Sequence, residues 1–461
     1  MLNTQHERDC ATLQAISARL HDLHAKSQTA RDNLGARERG FFFPPEDDQA
    51  KQLFLTYRNH RIALYEIISR HQEAPAGEEY PGAPSFVLAF GAAVLLCNWS
   101  SRLVRSYRDE PAIRSKLNEA DPRFGIEANL FDEIYRNLTR IETQERLLQA
   151  AHYFDQNVAS FQESFSDDDD LTWLISEIQQ QYELVKRSWL EIRATRWRRD
   201  FDIVPRVAIP FLDAIYNLKS WFIDLCGGVW LDEVPEIPHE HVRRFDQLLQ
   251  PGDFFLIRPE RKSSTVFLPG WWTHGALYFG GSATLRQFGA CDLPFVSKAL
   301  HSIERPIDGQ PAKVIEALAA GVVLNPLTRS LHADHVVAFR PCLNPSERLQ
   351  TIDDVFSHLG KPYDFEFDLS RSDRLVCTEL LYRALHGKGR IEFTPQVRVG
   401  RLTISADDIV SAALDSAAAG KPLFEIVAVS TRNMDSGDSQ FLVGEDGTAM
   451  LRESVKDRLA D

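Results

Sequence analysis

Two prolines three residues apart, in Glu233-Val-Pro-Glu-Ile-Pro238, divide this chain into halves with different apolar periodicities. Such a segment is stiff and lacks two amide donors, so neither a helix nor a sheet runs through it. Upstream, Leu13, Ile16, Leu20 and Leu23 fall at helical spacing and predict a helix over about Thr4–Leu34. Further helices are expected over about Asp47–His71, from Ser85, over Ile126–Phe161, from Leu171 to Ile192 (through Trp173, Ile178, Leu184 and Trp189) and over Pro205–Leu225. Gly40–Pro45, Pro81–Pro84 and Gly227-Gly228 interrupt them. Ser166 or one acid of Asp167–Asp170 is placed to cap the Leu171 helix, where negative charge favours the dipole. Long helices with short breaks predict an all-α antiparallel bundle over residues 1–235. Beyond Pro238 a short helix with Phe245, Leu248 and Leu249 leads through Pro251-Gly252 into a strand, Phe254–Ile257. Short strands and helices follow, among them a capped helix at Ser405–Leu414 and a strand at Phe424–Val429. This is an α+β pattern over residues 240–461.

The length of 461 residues agrees with two or three domains. A net charge of -14 argues against a general nucleic-acid binder, which needs a positive surface. Arg193, Arg196, Arg198 and Arg199 surround Trp197, as a solvated helix face or a local anion or partner contact. The six cysteines are scattered without a CxxC pair, which fits neither a zinc ribbon nor a disulfide framework. Met1–Asp9 is polar and has no signal-like apolar core. The most apolar run, Phe86–Cys97, has 12 residues, too few to span a bilayer, and reads as a buried core helix. A cytoplasmic protein with reduced thiols and no integral membrane segment is the expectation.

Three residues stand out for chemistry. Cys377, Leu380, Leu381 and Ala384 share one helix face, with Asp373 or Ser372 placed to cap it. A cysteine in a helix's first turn feels the positive end of the dipole, which favours the nucleophilic thiolate. The alternative is a small apolar residue packing the helix on a sheet. His274 opens a nearly continuous apolar run, His274–Gly280, typical of a central strand. It is a base for the thiol or a hydrogen-bonded core histidine. Gly275 leaves room for another group to approach. Trp271 and Trp272 wall a pocket or simply pack. Glu316, in Lys313–Leu318, is the candidate that orients the imidazole, the alternative being an edge position facing solvent.

The order of these pieces carries a resemblance. Leu249-Gln-Pro-Gly-Asp253-Phe-Phe-Leu256, then Thr273–Gly280, then Val314–Ala317 with Gly321–Leu327, then Gly360-Lys-Pro-Tyr363-Asp-Phe365 and Val376-Cys377-Thr378-Glu379-Leu380 resemble, in order, the permuted NlpC-type papain-like hydrolases of the YiiX/YaeF/YebB group. The resemblance implies a circularly permuted papain-like domain, an antiparallel sheet packed on the nucleophile helix. Cys377 would be its nucleophile, His274 its base and Glu316 its orienter. Thr378 stands where the family often has Ser. About forty residues separate His274 from Glu316 (with Cys291 and Pro294 between), long for adjacent strands and enough for a lid. The helical half resembles nothing recognisable.

Trp272, Thr273 and Tyr363 are the candidate substrate contacts. Asp364, Glu366 and Asp368 alternate along an extended segment, as a solvated edge or a site for a cationic group. His332, Asp334 and His335 suggest a metal only weakly, and no metal or cofactor is expected. The expected activity is hydrolysis or transfer of an acyl group from an amide, ester or thioester carbonyl through an acyl-enzyme. Resemblance to cell-wall amidases suggests a peptide-like amide, and resemblance to the lecithin:retinol acyltransferase group an acyl or lipid substrate. The competing expectation is a non-catalytic lipid- or small-molecule-binding scaffold. In either case the helical half is a possible protein-partner module, a lid or a dimerisation element.

Overall fold

The computed structural model describes residues 5–33, 35, 39–71, 82–121, 128–193, 237–259, 271–307, 309–364, 369, 372–398, 401–433 and 437–456. The Pro205–Leu225 helix, the arginines from Arg196 to Arg199, Cys226 and most of the proline linker lie outside the described residues. The chain divides into two compact units, Thr4–Asp232 and Glu233–Asp461.

The first unit is helical: α1 (Gln5–Asn33), α2 (Pro44–His71), α3 (Ala83–Tyr107), α4 (Pro111–Leu117), α5 (Leu130–Thr139), α6 (Ile141–Ser164) and α7 (Asp169–Arg193). Leu13, Ile16 and Leu20 of α1 are buried, as their spacing requires. Asp168 Oδ1 accepts the Leu171 N–H at 2.9 Å, so an aspartate of the acidic run caps α7. The single helix expected over Ile126–Phe161 is two, because Arg140 adopts an extended conformation between α5 and α6.

Helix α3 is the core of this unit, packed by α1, α2, α5 and α7. Its 25 residues make it long and apolar enough to cross a membrane by length and composition, which the 12-residue apolar run does not suggest. The helix is long because polar residues continue it. Those residues are engaged inside the unit: Asn98 Nδ2 donates to Gln181 of α7, and Ser100 bonds Tyr57 and Arg61 of α2. Within the most apolar window 89% is buried, as in a core helix. A Cβ on Gly91 would stand 2.7 Å from Leu174 Cδ1, so the glycine sets how closely α3 and α7 approach. Asp9 ties α1 to α2 through Arg70 and His71, with His71 Nε2 at 2.7 Å from Asp9 Oδ2. Burial works to raise the Asp9 pKa, but these partners hold it below the ordinary carboxylate value.

The second unit is built on a seven-stranded sheet in the order β4-β3-β2-β1-β5-β8-β9, every neighbour antiparallel. The strands are β1 (Phe254–Arg258), β2 (His274–Tyr278), β3 (Val314–Leu318), β4 (Gly321–Asn325), β5 (His335–Pro341), β8 (Phe424–Arg432) and β9 (Ser439–Leu442). A separate ribbon pairs β6 (Gln396–Arg398) with β7 (Arg401–Thr403). The helices are α8 (His239–Leu248), α9 (Ser282–Phe288), α10 (Pro294–Glu304), α11 (Leu327–Ser330), α12 (Pro345–Phe356), α13 (Cys377–Leu385), α14 (Ala406–Ala418) and α15 (Gly444–Lys456). The unit is α+β, as its pattern predicts. The chain between His274 and Glu316 forms α9 and α10, which is how two adjacent strands come to be far apart in sequence. Ser405 and Asp408 form the capping box that starts α14.

Helix α13 packs across β2 and β3. The sheet accepts it because residue 275 has no side chain: a Cβ there would stand 2.7 Å from Leu381 Cδ1 and 2.9 Å from Leu256 Cδ2. Both neighbours are buried and cannot swing away. Gly275→Ala is expected to lower the unfolding free energy by about 1–3 kcal/mol in denaturant titration. Trimming the partner with Leu381→Ala in the same chain should recover part of that loss, and strictly additive costs would show that the contact is not the cause.

Candidate active site

His274 stands at the open end of β2, and Glu316 sits centrally in β3. Glu316 pairs with Ala276, so His274, two residues along, faces the same side as its diagonal neighbour. The side chains meet: His274 Nε2 lies 2.6 Å from Glu316 Oε2. The other carboxylate oxygen accepts from Asn325 Nδ2 at 2.8 Å and from Ser330 Oγ at 2.6 Å. Glu316 is only 2% exposed, so it is a buried acid in the middle of the sheet rather than a solvent-facing edge residue.

On the facing helix Cys377 is the first residue of α13 and is 1% exposed. Its side chain acts electrostatically on His274. With Nε2 engaged by Glu316, Nδ1 is the ring nitrogen left for sulfur. Cys377, His274 and Glu316 are therefore assembled from α13, β2 and β3. Burial works against charge on His274. The negative charge of a Cys377 thiolate and the bonds to Cys377 and Glu316 outweigh it and raise the pKa to about 10. Burial likewise opposes ionisation of Glu316, but His274, Ser330 and Asn325 hold its pKa down at about 2.

The helix start differs from the expected cap. Neither Asp373 nor Ser372 caps α13; the N-cap is Val376, with no side-chain cap bond of its own. Glu379 reaches back from the first turn to accept the Val376 backbone N–H, half of a capping box. Burial pushes the Glu379 carboxyl up to about 7, against its hydrogen bond with Arg383. Thr378 donates to the Ile404 carbonyl at 2.8 Å and pins the helix to the segment entering α14.

The other sequence candidates lie around this centre. Trp272 and Thr273 are buried: Thr273 donates both its N–H and its hydroxyl to the Ile257 carbonyl, and the Trp272 indole N–H has no acceptor. Asp407 of α14, not singled out in the sequence, accepts the backbone N–H groups of Trp271 and Trp272 at 2.7 and 3.0 Å. It fixes the chain just before His274. Tyr363 is buried and bridges Leu375, two residues before the cysteine. Asp364 is no solvated edge: it is fully buried, 3.8 Å from Arg374 Nε. Glu366 and Asp368 lie outside the described residues. Among the described residues no group of three or more His, Cys, Asp or Glu is placed to hold a metal ion, including around His332, Asp334 and His335.

This arrangement, on an antiparallel sheet with histidine before cysteine in the chain, has a counterpart among known proteins. Residues 248–436 match the permuted papain-like amidase enzymes of the YaeF/YiiX, C92 family. The segment is a permuted papain-like domain similar to that family. No curated protein and no solved structure matches the chain. The match leaves the helical unit outside it and covers the sheet from its first strand, β1, through β8. The permuted papain-like domain thus contains Cys377, His274 and Glu316 together with Asn325, Ser330 and Asp407. Asn325 was accessible to sequence reasoning, because a tight β3–β4 hairpin with Leu318 opposite Gly321 puts Asn325 and Glu316 on one face. Ser330 and Asp407 reach the site through turns in space and leave no periodic trace.

The pair has a defined pH behaviour. Glu316 titrates below its ordinary 4.5, so its contribution to stability is full above pH 4.5 and is lost as pH falls toward 2. His274 titrates above its ordinary 6.5, so its contribution is full below pH 6.5 and is lost as pH rises through about 10. Glu316→Gln removes the charge that favours the imidazolium. The His274 ring resonance, followed by NMR in histidine-labelled protein, should then titrate at lower pH than in the wild type. An unchanged midpoint would remove Glu316 from the site's electrostatics.

Proposed function

We propose that the permuted papain-like domain is a cysteine amidase that works through Cys377, His274 and Glu316. The observation that carries this reading is the 2.6 Å bond from His274 to a buried, triply bonded carboxylate, with the other side of the ring turned to a cysteine at a helix N-terminus. A nucleophile, a base and an orienter in that sequence of contacts is the geometry of acyl transfer.

In this mechanism the Cys377 thiolate attacks the amide carbon and the carbonyl oxygen takes the electron pair. The Cys377 backbone N–H, at the first position of α13 and so without an intrahelical acceptor, donates to the developing oxyanion, and the helix dipole adds to its field. Protonated His274 gives its proton to the leaving amine as the tetrahedral intermediate collapses to a thioester. Neutral His274 then takes a proton from water, which attacks the thioester and frees the acid and Cys377. Glu316 holds the ring in one orientation and stabilises the imidazolium, while Asn325 and Ser330 hold Glu316. The substrate class is an amide, in keeping with the family. The surfaces flanking Tyr363 and the start of β2 are the proposed contacts for its acyl side.

Reaction with iodoacetamide distinguishes this centre from the other thiols. Cys10 and Cys97 are buried without a base, and their thiols are pushed up to about 12. Cys342 is exposed, so the test is made in a Cys342→Ser background. The wild-type residue 377 should give a fast labelling phase at neutral pH, and Cys377→Ala should lack it. Turnover of a panel of fluorogenic acyl aminocoumarins should vanish in Cys377→Ala and fall by about tenfold or more in Glu316→Gln. A fast phase that survives Cys377→Ala would refute the nucleophile assignment.

A further inference from the structure

The helical unit contains a cavity bounded by α1 to α4 and the Phe42 loop, enclosing about 730 Å³ of empty space, solvent at its mouth included. Leu20, Leu53, Phe54, Leu103, Ile113 and Leu117 make most of its wall, so its lining is overwhelmingly apolar. Phe42 lines it, and the flanking Phe41 and Phe43 are 56% and 48% exposed, an apolar rim on the surface.

The polar groups of the cavity are unequal in kind. Arg102 lies 4.3 Å over the Trp99 ring, and its hydrogen bond is from Nε to Asn98 Oδ1 at 3.4 Å. Among the described residues no carboxylate pairs with it. The Trp99 indole N–H is buried without an acceptor, on a residue 4% exposed. His24 stands beside them. Its burial, and then the charges of Arg102, His21 and Arg105, all disfavour its proton, with no acid opposing them. Glu46 is the acid in the lining, and it is already engaged by Arg39 and by the Phe43 N–H at 2.8 Å. The cavity therefore has apolar walls and, at Trp99, a buried donor in need of an acceptor, with the half-buried Arg102 guanidinium beside it. A buried donor without an acceptor costs stability, and a ligand that supplies one recovers it.

We propose that this cavity binds a long-chain carboxylate, its chain against the Leu53–Phe54 and Ile113–Leu117 walls and its headgroup on Arg102 and the Trp99 N–H. One guanidinium and one N–H match a small monoanion better than a phosphate dianion, and the length of apolar wall requires an alkyl chain. The site is independent of Cys377 chemistry, since every group in it belongs to the helical unit.

The full chain is titrated with cis-parinaric acid, a fluorescent fatty acid, and the bound probe is displaced with dodecanoate, dodecan-1-ol, dodecyl phosphate or acetate. Saturable one-to-one binding is expected, with displacement by dodecanoate and none by acetate. Arg102→Met should weaken dodecanoate by about tenfold or more and the alcohol by less than about twofold. Arg102→Lys, which keeps the charge, should restore most of the affinity. Leu53→Trp, which fills the cavity, should weaken acid and alcohol alike. Each variant is compared at a circular dichroism spectrum matching the wild type. The proposal is overturned by absence of saturable binding to the wild type, by an unchanged dodecanoate affinity in Arg102→Met, by equal loss for acid and alcohol in that variant, or by stronger displacement with dodecyl phosphate than with dodecanoate.

Discussion

A carboxylate buried in the middle of a sheet is the constraint on which the second unit depends. Glu316 sits on β3 between β2 and β4, where an unpaired charge would cost several kcal/mol, on the order of a whole domain's margin of stability. It is tolerated because each oxygen is satisfied from a different element: His274 on β2, Asn325 on β4 and Ser330 at the end of α11. The bonds work in both directions. They keep the acid ionised, and the ionised acid fixes the imidazole's position and charge. Shifting β3 by one residue would turn Glu316 to the opposite face and break all three bonds at once. The geometry of the proposed site and the sheet register are thus one requirement.

The helix that faces this carboxylate is set by packing rather than polar contacts. Gly275 lets Leu381 approach β2 next to His274, and the start of α13 follows from that approach. Thr378 and Glu379 then tie the first turn to Ile404 and Val376. The apolar face of the helix holds its body on the sheet, and the polar groups of its first turn hold its end. Cys377 lies where the two meet.

What the sequence revealed of this follows from the range of each signal. Nearly continuous apolar runs marked β2 and β3 and with them His274 and Glu316, and helical spacing placed α13, because these are patterns within one element. The cap was misplaced because Ser372 and Asp373 are the right residue types at the wrong distance, while the group that works, Glu379, lies inside the helix. The run from Ile126 read as one helix because nothing in its composition marks Arg140 as extended. The apolar run of helix α3 ends at Cys97 because Asn98, Ser100 and Ser101 look like surface residues until the partners that bury them are in place. Ser330 and Asp407 depend on tertiary turns and have no local signature. In each failure a local rule was right about chemistry and had no access to distance.

The cysteines of the chain separate burial from reactivity. Cys10, Cys97 and Cys377 are 1%, 2% and 1% exposed, so accessibility does not distinguish them. Burial, helped by nearby acids at Cys10 and opposed by Arg61 at Cys97, pushes both thiols up to about 12, which leaves them neutral packing groups. Cys377 is equally buried, but it faces an imidazole whose charge Cys377 and Glu316 both favour, and it stands at the positive end of a helix. Low dielectric strengthens whatever electrostatics are present. Within a single chain, the step from an inert cysteine to a candidate nucleophile is the presence of a partner. That partner's charge is favoured first by Cys377 itself and then by a carboxylate on the neighbouring strand.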